Sequence, residues 1–167
     1  IEMQEEADEN VRYNGMKRYA IPNFVDTNLF SPKEKGQAKM KLGISKDDIV
    51  ISSVGAIKRY HKRMDHFISE LVNVRKDMQS SIKIVIAGAE DSESESIISM
   101  GKKMLGDNFL VFMNMPRDQL PYLYSASDMF VLCSLNEAFG IVIIEAMSCG
   151  TPVICHEAPV IKWVVKE

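Results

Sequence analysis

The stretch Ser134-Leu135-Asn136-Glu137-Ala138-Phe139-Gly140-Ile141-Val142-Ile143-Ile144-Glu145-Ala146-Met147-Ser148-Cys149-Gly150-Thr151-Pro152-Val153-Ile154 decides the fold. It follows the apolar run Asp128–Leu132, which reads as a strand. Gly140 opens a nine-residue segment to Ser148 that predicts a helix, and Pro152–Cys155 predicts the next strand. Strand, loop, helix and strand in this order make a βαβ unit, which requires parallel strands and a crossover helix.

The same alternation runs outward from this unit. Ile49–Val54 predicts a strand, Lys62 to about Asp77 an amphipathic helix, and Ile82–Ala87 a strand ending at Gly88. Asp91 to about Leu105 predicts a helix with Asp and Ser caps. Phe109–Met113 predicts a strand. A short helix after Pro116 places Leu120, Leu123 and Tyr124 at helical spacing, and a last helix runs from Val160. Short apolar strands separated by helices indicate an α/β, Rossmann-like three-layer domain with a parallel sheet covered on both faces. Ligands of such sheets bind at the carboxyl ends of the strands. That rule places Gly55–Lys62, Gly88–Ser92, Asn114–Arg117 and Leu135–Gly140 along one edge. Nearer the N-terminus, Ile21–Asp26 reads as a turn after a short strand, and Pro32–Leu42 as a helix stopped by Gly43. The acidic opening reads as a helix or as unordered chain.

Composition excludes several classes. The net charge of −3 argues against general nucleic-acid binding. No apolar run reaches the ~18–20 residues of a membrane span. Cys133, Cys149 and Cys155 are an odd number and form no Cys-x-x-Cys pair, so free thiols in a cytoplasmic, reducing compartment are expected. The three histidines show no metal-ligand spacing, and no metal is expected. The glycine-rich fingerprints of dinucleotide dehydrogenases and P-loop NTPases are missing, as is the nucleophile elbow of α/β-hydrolases.

Three groups of residues point to chemistry. Glu145 stands in a helix that is apolar on every side, and such a helix is expected to be buried. A carboxylate there ionises only with partners. Helical side chains lean toward the N-terminus, so Glu145 points toward the Gly140 end. It reads either as a structural hydrogen-bond acceptor or as an acceptor for a sugar diol. Glu137, in the loop before the helix, reads as a solvated acid or as a group facing sugar hydroxyls. Gly140 opens the helix where unpaired N–H groups and the helix dipole favour a phosphate. Lys58-Arg59-Tyr60-His61-Lys62-Arg63, directly after the first strand and Gly55, reads as a solvated basic face or as a diphosphate clamp.

These elements, in this order, resemble the C-terminal half of the group 1 (family 4) glycosyltransferases of GT-B fold. The resemblance spans about residues 20–165 and is carried by Glu137-x7-Glu145 with Glu145-Ala-Met-Ser-Cys-Gly-Thr-Pro-Val-Ile154. Pro22-Asn23-Phe24-Val25-Asp26 and Pro121-Tyr122-Leu123-Tyr124-Ser125-Ala126-Ser127-Asp128 add to it. It implies residues 1–20 as a segment from the interdomain region and residues 21–167 as a C-terminally truncated, nucleotide-sugar-binding domain. By that likeness Glu137 contacts the donor sugar and Glu145 the ribose. Phe139, Gly140 and Ile141 hold the distal phosphate, and Lys62 clamps the diphosphate. Gly55, Lys58 and Arg59 line the same loop, and the base rests on Met113, Asn114 and Met115. The likeness implies no cofactor beyond a UDP-, GDP- or ADP-linked sugar as substrate. The acceptor, a sugar or lipid-linked glycan, would meet an N-terminal domain missing from this chain, and peripheral membrane association of the larger protein is compatible with it.

The chain departs from the pattern at three places. Ala56 stands where the family usually has Arg, so Lys58 or Arg59 is the expected substitute. Asn114 stands where it often has glycine, and His156-Glu157-Ala158-Pro159 lacks the usual glycine pair. A non-catalytic nucleotide-sugar-binding module and another GT-B enzyme, such as a nucleotide-sugar epimerase, remain as alternatives.

Overall fold

The computed structural model describes residue 19 and residues 21–77 and 81–165. The acidic opening lies outside the described residues. The elements are α1 (Lys35–Lys41), β1 (Ile49–Val54), α2 (Met64–Asp77), β2 (Ile82–Gly88), α3 (Ser94–Leu105), β3 (Phe109–Met113), α4 (Leu120–Ala126), β4 (Met129–Leu132), α5 (Ile141–Ser148), β5 (Val153–Cys155) and α6 (Pro159–Val165). The five strands form one parallel sheet in the order β3-β2-β1-β4-β5.

Strand alternation divides the core into two. Val50, Val54, Val85, Ala87, Phe130 and Leu132 face one side and pack with Tyr124, Ile143, Ala146 and Ile161 from α4, α5 and α6. Ile51, Ile82, Ile84 and Ile86 face the other side and pack with Phe67, Ile68 and Ile97 from α2 and α3. Helices on both faces explain why β1 and β2 are buried at nearly every position. The expected three-layer α/β class is the one observed.

Several element ends differ from the sequence reading. The α2 helix begins at Met64, not Lys62, because His61 (φ 63°) and Arg63 (φ 52°) adopt left-handed backbone that a helix cannot include. The short strand expected before Ile21 lies outside the described residues. The turn that follows residues 21–26 is built by Asp26, whose Oδ1 accepts the Asn28 N–H at 2.9 Å. The α1 helix starts at Lys35 because Glu34 caps it, accepting the N–H groups of Gly36 and Gln37 at 2.8 and 2.6 Å.

The sheet has its order reversal at β1. The chain moves outward from β1 to β2 and β3, then returns across the sheet to β4 on the other side of β1. The loop after β1 leads to α2 on one face, and the loop after β4 leads to α5 on the other. A crevice therefore opens at the carboxyl ends of β1 and β4.

One glycine contact shapes the neighbouring β1–β2 edge. A Cβ at Gly88 would stand 1.7 Å from the Gly55 carbonyl oxygen. The two strand-end loops therefore meet backbone to backbone. Gly88→Ala is expected to lower stability by about 2 kcal/mol or more, since neither backbone can yield as a flexible side chain would. A urea melt checks this, and an unchanged midpoint would show that the loops do not depend on the contact.

Candidate functional site

The basic segment after β1 divides its charges between two directions. Lys58 pairs with Asp91 at 3.6 Å. Arg59 lies 3.8 Å from Glu93, and its guanidinium donates to Ser96 Oγ at 2.7 Å. The Arg59 and Tyr60 N–H groups also donate to Glu93 Oε2. Lys58 and Arg59 are thus committed to the acidic start of α3, away from the β1–β4 crevice. Lys62 turns the other way and donates to Glu137 Oε1 at 2.6 Å. The left-handed residues on either side of Lys62 make this reversal, at a typical cost of ~1–3 kcal/mol each. The loop is held to its neighbour by the Leu135 N–H, which donates to the His61 carbonyl at 2.9 Å.

Gly140 supports the other wall. It is the N-cap of α5 with φ 78° and ψ 49°, and no side chain caps the first turn. The opening N–H groups of a helix lack intrahelical acceptors, so this end can take an anion. Gly140 is buried against Leu132 and Ile143, while Phe139 packs edge-on against Trp163 with ring centroids 6.1 Å apart. Ser134, at the end of β4, is fully buried and its hydroxyl has no partner among the described residues. Sequence reasoning did not single out Ser134, since a lone serine after a strand carries no signal.

Glu145 is only 4% exposed, although its helix is not buried all round. Ile141 and Met147 lie on the outer side, Met147 being 46% exposed, which corrects the expectation of a wholly enclosed helix. The apolar pattern failed as a guide because it shows no polar face, whereas the packing buries only Ile143, Glu145 and Ala146. Glu145 Oε2 accepts the Tyr124 hydroxyl at 3.0 Å, and Oε1 lies 3.4 Å from the Arg117 guanidinium. Its partners are side chains from α4 and from the β3–α4 loop, and neither was singled out in the sequence. Burial raises the Glu145 carboxyl above its ordinary value, with Tyr124 and Arg117 opposing the shift. Burial also pushes the nearby Cys149 thiol up to about 11, so it adds no charge.

The β3–α4 loop completes the edge. Asn114 has φ 52°, the left-handed conformation that glycine takes freely and asparagine tolerates. Asparagine at a glycine-favoured position thus keeps the loop shape. Its N–H donates to the Gly88 carbonyl at 2.8 Å. Met113 is exposed, and with Met115, Phe112, Gln119 and Leu42 it lines an open depression of about 240 Å³. The structure therefore brings Lys62, Glu137 and Gly140 to the β1–β4 side of the edge, with Met113, Asn114 and Met115 further along it, while Glu145 lies within α5 and joins Arg117 of the β3–α4 loop. Among the described residues, no three His, Cys, Asp or Glu side chains gather to hold a metal, and no helix is long and apolar enough to cross a membrane.

Comparison with known proteins decides the family. The family model described as glycosyl transferases group 1 matches residues 34–167. The chain belongs to that family. It is 31% identical over 137 residues to the D-inositol 3-phosphate glycosyltransferase of Segniliparus rotundus, covering 80% of this chain and 30% of that protein. The chain thus spans about a third of the length of the curated relatives it matches. Its fold matches the solved C-terminal domain of a group 1 glycosyl transferase from Francisella tularensis, with TM-score 0.66 and 22% identity over 79% of this chain and 70% of that one. It also matches Anabaena HepE, solved in complex with UDP-glucose, with TM-score 0.71 and 20% identity over 87% of this chain and 40% of that one. These folds are of GT-B type, and the parallel five-stranded sheet with its flanking helices is the fold they share with this chain.

The raised Glu145 carboxyl gives a signed stability prediction. Its proton is held more tightly folded than unfolded, so its favourable contribution is complete below pH 4.5 and is lost as pH rises through the raised folded value. Glu145→Gln stays neutral and escapes that loss. The melting temperature of Glu145→Gln minus that of the wild type should therefore climb from acid pH to about pH 8. A difference that falls over the same range would contradict the assigned direction.

Proposed function

We propose that this chain is the donor-binding domain of a retaining glycosyltransferase, which moves a sugar from a nucleoside diphosphate to an acceptor. The observation that supports the reading is the Lys62–Glu137 pair between the loops after β1 and β4, next to the uncapped start of α5, the helix that also carries buried Glu145. Each feature suits one part of the donor. Glu145 accepts hydrogen bonds from the ribose, the first N–H groups of α5 take the distal phosphate, and Lys62 neutralises the diphosphate. Met113, Asn114 and Met115 lie where the base rests. Glu137 faces hydroxyls of the transferred sugar.

The Lys62–Glu137 pair gives this order a physical logic. A diphosphate carries more charge than one carboxylate and competes for Lys62. When Lys62 turns to the diphosphate, Glu137 is released toward the sugar. As the glycosidic bond to the phosphate breaks, negative charge grows on the leaving oxygen. Lys62 and the helix start stabilise that charge best at the moment it forms. The acceptor and the rest of the catalytic machinery belong to a partner domain in the longer protein, facing the same edge. This reading needs no metal or cofactor. Group 1 membership supports it, and HepE, of like fold, binds UDP-glucose.

A calorimetric panel of UDP-, GDP- and ADP-sugars tests donor binding directly. Glu145→Ala should weaken the preferred nucleotide at least about tenfold, since one or two charge-assisted bonds of ~1.5–3 kcal/mol each are lost. Unchanged affinity would sink the ribose assignment. In the longer protein, Lys62→Ala and Glu137→Ala should each abolish most transfer, while this chain alone should turn over no acceptor. Robust transfer by the purified chain would overturn its role as a donor-binding part.

A further inference from the structure

We infer that Tyr124 is a positioning residue: its buried hydroxyl fixes the roll of the Glu145 carboxylate so that Oε1 is presented outward to the ribose diol. The inference rests on the proposed role of Glu145 in ribose binding. The geometry distinguishes the two carboxylate oxygens. Oε2 takes the Tyr124 hydroxyl at 3.0 Å, and Tyr124 is fully buried. Oε1 lies toward Arg117, whose side chain is 61% exposed and belongs to the loop at the ligand edge. Oε2 is therefore bound to the core, and Oε1 is turned to the exposed Arg117 side chain.

Tyr124 is itself held from several directions. Its ring packs edge-on against Phe130 at 5.5 Å and tilted against Phe30 at 6.2 Å. Its carbonyl accepts the Thr151 hydroxyl at 2.6 Å, which ties α4 to the turn after α5. The hydroxyl thus stands at a fixed place relative to α5. Burial and the neighbouring Glu145 charge raise the phenol well above its ordinary value, so it remains a proton donor. A carboxylate without this anchor could rotate about its terminal torsion, which is broad for glutamate. It would then meet the two ribose hydroxyls in the right orientation only part of the time.

Diol discrimination reads this role separately from fold. Calorimetry on this chain would compare UDP, GDP and ADP with their 2′,3′-dideoxy counterparts, for the wild type, Glu145→Gln and Tyr124→Phe. The wild type is expected to prefer the ribo form, and Glu145→Gln to lose that preference. Tyr124→Phe keeps the ring and removes one oxygen. It should cut the ribo-to-dideoxy affinity ratio about fivefold or more while leaving dideoxy binding near the wild-type value. A wild-type ratio in Tyr124→Phe overturns the inference, as does a parallel fall of both affinities, which marks a structural role only. Loss of discrimination in Glu145→Gln but not in Tyr124→Phe rejects the inference and keeps the ribose reading. Retention in Glu145→Gln rejects both. Should Tyr124→Phe fail to fold, Glu145→Asp keeps the charge but withdraws it from Tyr124. It should lose the ratio in the same way, and a retained ratio contradicts the inference.

Discussion

The Lys62–Glu137 ion pair spans the one place where the sheet parts. The loops after β1 and β4 leave toward opposite faces, so no ladder hydrogen bond joins them beyond the strand ends. A lysine from one loop, a glutamate from the other and the Leu135–His61 backbone bond close that gap. The loop after β1 adopts left-handed backbone at two non-glycine residues to deliver Lys62 there. Strain of this kind persists where the surroundings over-determine it. Here the surroundings are the acids of α3, which hold Lys58 and Arg59, and the β4–α5 loop, which holds Lys62.

The second constraint is the buried carboxylate. Glu145 is costly to ionise where it stands, yet two partners from separate segments reach it. A protein interior gains little stability from such a group. In the proposed site, its place in α5, the helix whose start is open to an anion, gives it a use in binding. The two glutamates therefore differ in kind. Glu137 is paired with a cation from the neighbouring loop, and Glu145 is anchored in the core.

Much of this was legible in the sequence because the signals were local. Each strand was an apolar run with β-branched residues, and the carboxyl-end rule placed the correct loops on one edge. The conformation of Asn114 shows that an apparent departure from pattern can preserve backbone shape. What escaped the sequence were tertiary choices. Nothing in Lys58-Arg59-Tyr60-His61-Lys62-Arg63 says which cation turns toward Glu137, because the answer lies in Asp91 and Glu93, some thirty residues away. Tyr124 reads as one more core aromatic until its hydroxyl is seen on Glu145. The apolar surround of Glu145 predicted its burial but overstated that of its helix, since periodicity cannot show which apolar face the fold leaves uncovered.

In the function proposed above, these two loops and the start of α5 form a nucleoside diphosphate site. A crystal structure of the chain with UDP, GDP or ADP, whichever binds, tests it most directly. The expected complex has the ribose hydroxyls on Glu145 Oε1, a phosphate on the N–H groups of Ile141 and Val142, and Lys62 turned from Glu137 to the diphosphate. A nucleotide bound elsewhere, with the Lys62–Glu137 pair intact, would contradict it.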